Sequence, residues 1–174
     1  MKKIILFCLL GINIFAININ ISGSVQTARY AETSGVIDLV NGSVETKSYV
    51  SPIYVINMEV VQDFEYGELG FGASYEQGYE RQNGEESFNA IPIYGIGRIK
   101  MGPIFLNAKY GTTLYTGISD GTNYSSGQYL QAGLGIISDN NVTLEGTLNA
   151  TIAERNGVDI GTITYGLTVG LNIE

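Results

Sequence analysis

Histidine and tryptophan do not occur in this 174-residue chain; cysteine occurs once and proline three times. Without histidine the chain lacks the commonest general base and the commonest metal ligand. Its single thiol, Cys8, lies in the N-terminal apolar stretch, so a chain that sheds that stretch has neither a disulfide nor a thiolate cluster. Basic residues are also scarce, nine against 17 acidic. Lys2 and Lys3 belong to the same N-terminal stretch, which leaves seven basic groups for the remainder. A phosphate backbone demands a basic surface, so nucleic acid is excluded as a partner. The length suits one domain.

What is present at the N-terminus is an address. Lys2 and Lys3 precede an apolar run over residues 4–16, the basic and apolar regions of a secretory leader. Cleavage is expected near 16–23, after Ala16 or after Gly23, which divides the chain into a leader, 1–23, and a mature domain, 24–174. An uncleaved helical anchor is the competing reading. Asn13, Asn18 and Asn20 weaken it, because a spanning helix needs about 20 predominantly apolar residues. A lipoprotein is disfavoured because Phe7 precedes Cys8 where a small residue is required.

No later stretch has helical periodicity; what recurs is a period of two. From 162 to 173 it is unbroken, with Ile163, Tyr165, Leu167, Val169, Leu171 and Ile173 opposite Thr162, Thr164, Gly166, Thr168, Gly170 and Asn172. Residues 142–153 repeat it. Weaker alternation covers 54–64, 68–76, 104–114 and 130–136. The segment 91–101 is ambiguous, since the parity that turns Arg98 and Lys100 inward also turns Ile96 inward and sends Gly95 and Gly97 out. For the first strand, 34–41 is chosen, with 25–30 preceding or replacing it. Connections near 65, 100–103 and 138–141 are short; those at 42–51, 77–90, 116–126 and 154–161 are long and polar. Pro52, Pro92 and Pro103 are placed at strand starts, where a missing donor is tolerated.

Alternating short and long connections predict an all-β, eight-stranded antiparallel up-and-down barrel, and the polar face argues that it spans a membrane. That face is Thr, Gly, Asn, Gln and Ser with few charges, whereas a water-facing surface is normally about a quarter to a third charged. Outward Tyr54, Phe64, Tyr75 and Tyr165 suit interfacial girdles. A soluble lipocalin-like carrier would turn the same two faces round.

Over residues 34–174 the pattern resembles the small outer-membrane barrels of the OmpA-transmembrane and OmpX type. Gly166, Val169 and Leu171 match the spacing of the C-terminal signal that the outer-membrane assembly machinery reads in that family, although this chain ends Ile173-Glu174 rather than in an aromatic residue. Along the strands Glu59, Arg98, Lys109 and Glu145 point inward at similar depth, two acids and two bases that resemble the interior ion-pair network of the OmpA-type barrel; Glu68 and Lys100 form a second candidate pair near the short-turn rim. Such a network would fill the lumen and fix register, or gate a narrow channel. Eight strands leave an interior only wide enough for side chains, which favours filling.

Enzymatic barrels of this architecture use a histidine, and none exists here. The carboxylates Glu85-Glu86 and Glu76/Glu80 are assigned to a solvated loop. No catalytic, metal or cofactor site is expected. Activity specific to the protein falls to the long loops, where Tyr79, Glu80, Arg81, Phe88, Asp120 and Tyr124 are the contact candidates. The leading expectation is a monomeric, non-enzymatic protein of the cell outer membrane, with lipid and the assembly machinery as partners. Its work is envelope-structural, or adhesion to a host or neighbouring-cell surface. The alternatives are a narrow ion or small-solute channel and a soluble exported carrier.

Overall fold

A computed structural model describes residues 17–32, 52–80, 86–118, 126–155 and 158–173. They form eight strands: β1 (Ile17–Glu32), β2 (Pro52–Phe64), β3 (Gly67–Glu80), β4 (Glu86–Met101), β5 (Ile104–Ile118), β6 (Gly127–Ile137), β7 (Val142–Arg155) and β8 (Val158–Ile173). Each pairs antiparallel with the next, and β1 pairs with β8 to close the barrel. From partner to partner, Ile21 leads through Met58, Ala73, Ile93, Thr112, Gln128, Ile152 and Gly161 back to Ala31, ten residues further along β1. That stagger tilts the strands and sets the bore of the cylinder.

The faces are sided as a membrane requires. Leu167 is 65% exposed and Ile56 63%, whereas Glu59 and Lys109 are each 3% exposed. Apolar side chains outside and charges inside exclude the soluble-carrier arrangement, and closure leaves no unpaired sheet edge in hydrocarbon. Tyr54, Tyr75 and Tyr165 all point outward. Tyr54 lies across from Val25, Tyr75 from Ile56 and Tyr165 from Thr27, so the three gather at one level of the wall. Phe64 and Tyr66 point outward at the short-turn end. There Gly102 and Asn141 take positive φ, 64° and 61°, in the β4–β5 and β6–β7 turns. Glycine tolerates that conformation freely, and asparagine tolerates it better than most residues.

Several expectations change. The first strand is residues 17–32, which takes in the alternative 25–30 and begins seven residues before the division at 23/24; residues 34–41 lie outside the described residues. Strands also run through much of what reads as loop. Glu80 pairs with Glu86, and Arg155 with Val158, leaving only Asn156-Gly157 between β7 and β8. Polar composition misleads here because strand ends beyond the lipid have no apolar face to alternate. Pro92 is not at a strand start but inside β4, where the ladder with β3 skips from Ala73–Ile93 to Glu76–Ala90 and a bulge at Asn89/Ala90 shifts the register with β5.

Among the described residues the loop-side ends of the strands are uneven. β2 and β6 begin at Pro52 and Gly127, while their neighbours run on to Glu32, Glu80, Ile118 and Arg155. Two three-stranded walls, β7–β8–β1 and β3–β4–β5, therefore rise across from one another.

Candidate functional site in the barrel lumen

An ionised group removed from water must be paired and hydrogen-bonded, so the inward charges of β2 to β5 dictate one another's positions. They form an alternating file along the lumen. Lys109 Nζ lies 2.7 Å from Glu59 Oε1, and the other oxygen of Glu59 is 3.2 Å from the Arg98 guanidinium. Arg98 also pairs with Glu68, Glu68 with Lys100, and Lys100 with Asp63 at 2.7 Å. Asn18 of β1 donates to Asp63 and ends the file at the short-turn rim.

Aromatic and neutral polar groups complete the filling. Arg98 stands 4.9 Å over the Phe105 ring and Lys109 4.9 Å over Tyr94, so both cations face a π-cloud as well as a carboxylate. The Tyr94 hydroxyl donates to Glu59 at 3.2 Å, and its ring stacks on Tyr129 with centroids 5.5 Å apart. Val61, Tyr94, Ile96 and Tyr129 make a small apolar cluster inside the barrel. Towards the loop side, Asn149 donates to Gln26 and Thr164 at 2.8 and 3.0 Å, and the Thr164 hydroxyl donates to Gln26 at 2.9 Å.

Of the four residues expected in the network, Glu59, Arg98 and Lys109 come together. Glu145 does not join them by an ion pair among the described residues. Its carboxylate accepts from Asn107 Nδ2 at 2.8 Å and Gln131 Nε2 at 3.3 Å instead. The reason is its place on β7, two strands beyond β5, where amides of β5 and β6 intervene. Gly133 of β6 makes room for it, since a Cβ there would overlap the Glu145 carboxylate. Glu68 and Lys100 pair as expected. Glu76 is corrected: it is buried in the lumen at 9% exposure, not solvated on a loop.

Gly166 faces inward on β8, where a Cβ would strike the Val25 carbonyl and Gln26 across the seam, and Val169 and Leu171 face outward. Tyr79, Glu80 and Phe88 belong to paired strand ends of β3 and β4, while Arg81, Asp120 and Tyr124 lie outside the described residues. Tyr94, Ile96, Phe105 and Tyr129 are functional residues that composition alone overlooks. A signal for two of them exists: once Arg98 is turned inward, Ile96 and Tyr94 follow at steps of two.

Chemically the arrangement holds register and fills space. Among the described residues no group of three or more His, Cys, Asp or Glu could hold a metal ion.

No protein-family model matches the chain, and no curated protein matches it. Solved structures do. Neisserial surface protein A superposes with a TM-score of 0.61 at 10% identity, over 88% of this chain and 96% of that one. The attachment invasion locus protein of Yersinia pestis gives 0.52 at 12% identity, over 88% and 98%. The outer membrane enzyme PagL gives 0.52 at 15% identity, over 87% and 98%. At such identities the likeness is one of fold, and the fold is that of the small eight-stranded outer-membrane β-barrels.

Proposed function

We propose that this chain, which has the fold of the small eight-stranded outer-membrane barrels, is an exported, monomeric, non-enzymatic protein of a bacterial outer membrane, and that its raised loop-side rim meets a host or neighbouring-cell surface. The observation that carries the reading is the occupied middle of the lumen. Ion pairs, the Tyr94–Tyr129 stack and Phe105 occupy the interior, so specific work falls to the rim. The uneven walls β7–β8–β1 and β3–β4–β5 supply a surface beyond the aromatic level for such contact. One structural neighbour, the attachment invasion locus protein, is by its name an attachment protein; another is an enzyme. The absence of histidine favours the first kind of work. The basic and apolar N-terminal stretch belongs to export, with cleavage near 16–23, and Gly166, Val169 and Leu171 of β8 are offered to the assembly machinery.

Cell fractionation tests the location: the protein should partition with the outer membrane and migrate faster on gels when unheated. A freely soluble periplasmic protein would sink the reading. Replacing residues 81–85 and 119–125 by Gly-Ser linkers should abolish binding to cells or matrix while preserving heat-modifiable mobility; unchanged binding would remove the rim from consideration. In planar bilayers the filled lumen should be silent. Conductance abolished by neutralising Arg98 and Lys109 would favour the channel instead.

A further inference from the structure

We infer that the mature protein begins at Ile17, the leader being removed by hydrolysis of the Ala16–Ile17 peptide bond. This rests on the exported-barrel reading and adds to it the bond at which the leader departs. Ala16 ends the apolar run, and Ser22, Gly23 and Ser24 are the small residues that follow it; spacing does not choose between Ala16 and Gly23. Each has isoleucine two positions before it, Ile14 and Ile21, where a small residue is usual.

The barrel does choose. Residues 17–23 are the first half of β1, and they close the cylinder on both sides. They pair with residues 56–62 of β2, from Ile17–Gln62 to Gly23–Ile56. They also pair with β8, from Ile19–Ile173 to Gly23–Val169. Removal up to Gly23 would leave both those stretches facing a gap, their backbone donors and acceptors open to hydrocarbon, where no water can replace the lost partner. The same cut would strip the inner wall. Asn18 donates to Asp63, the last member of the file of charges, and the Ser22 hydroxyl accepts from Asn57 at 3.0 Å. Gly170 of β8 lies so close to Ser22 and Thr143 that a Cβ would crowd both, so that part of the wall is shaped around residues a later cut would discard. On the outside Ile17 and Ile21 continue the apolar surface, both exposed.

The bond before Ile17 satisfies the leader as well. A cut after Ala16 leaves the leader an apolar region over residues 4–15, of the length such regions have. The alternation Ile17-Asn18-Ile19-Asn20-Ile21-Ser22 then belongs wholly to the strand.

N-terminal sequencing and intact mass of the protein extracted from the outer-membrane fraction test the inference. Ile17 is expected as the first residue. Ser24 would overturn the assigned bond and leave export standing; a barrel retaining Met1 in that fraction would overturn removal. Full-length protein in the cytosol or inner membrane would instead overturn the exported-barrel reading. Ala16→Leu should cause the precursor to accumulate, whereas Gly23→Leu, on the outer face, should leave processing unchanged; the reverse pattern would reject the assignment. Chains starting at Ile17 and at Ser24, refolded in detergent, should differ, only the longer showing heat-modifiable mobility. Equal folding of the two would remove the structural ground for the choice.

Discussion

The two halves of the inner wall solve the problem of a buried polar surface differently. β2 to β5 contribute Glu59, Asp63, Glu68, Arg98, Lys100 and Lys109, joined as an alternating file. β7, β8 and β1 contribute Thr143, Thr147, Asn149, Thr164, Thr168, Asn18, Asn20, Ser24 and Gln26, all buried and, apart from Glu145 on β7, uncharged. The charged half brings strong, long-reaching interactions that tolerate no missing partner. The neutral half brings hydroxyls and amides, each of modest net worth, and enough small residues to let the bulk of the first half fit. Filling a narrow cylinder takes both.

The harshest way to break the comparison is Glu59→Ala. It leaves Arg98 without one of its carboxylates and Lys109 without its ion-pair partner among the described residues, and breaking a buried pair costs about 3–5 kcal/mol. Urea unfolding of the barrel in detergent or bilayer should register a loss of that order; a loss no larger than that of a neutral-half substitution would show the ionic file to be dispensable. A second experiment uses one substitution at two glycines. Gly133→Ala places a methyl on the Glu145 carboxylate, which must swing away from the buried amides of Asn107 and Gln131, and should cost about 1–3 kcal/mol, whereas Gly146→Ala on the outer face meets the Leu134 carbonyl oxygen only at 3.9 Å and should be neutral or nearly so. Equal effects would mean that room inside the wall is not what glycine supplies at 133. The mildest change is Thr164→Val in the neutral half, which removes the hydroxyl that joins Gln26 and Asn149 and should cost about 1 kcal/mol. A much larger loss would show that the neutral half acts as one cooperative network.

Where alternation sets a small polar face against an apolar one, as in β7 and β8, strand and sidedness are legible in the sequence, because lipid accepts only one of the two faces. β4 resists such reading. Its lumen face carries Tyr94 and Ile96 beside Arg98, while Gly95 and Gly97 face out, since the interior needs volume there more than polarity. β1 is obscured differently: its Ile-Asn alternation joins directly onto the apolar run of the leader and reads as part of it. At the site the depth of Glu59, Arg98 and Lys109 could be counted along each strand, and so could Glu68 and Lys100. Which pairs form could not, because contact across the lumen depends on a stagger that only closure defines. Glu145 has the right depth and parity, yet its hydrogen bonds come from amides and it forms no ion pair among the described residues.

The distribution of sign along the chain bears on how the cylinder is made. Hairpin β2–β3 carries the acids Glu59, Asp63 and Glu68; the next hairpin, β4–β5, carries the bases Arg98, Lys100 and Lys109. Neither hairpin can enter lipid alone without dragging unmatched charges of one sign, the more so as Glu76, also turned into the lumen, lies on β3. Together they neutralise in register as they meet. Insertion is thereby coupled over four consecutive strands, and the nascent sheet has reason to form β2 to β5 as a single electrostatic unit before β1 and β8 find each other and seal the wall.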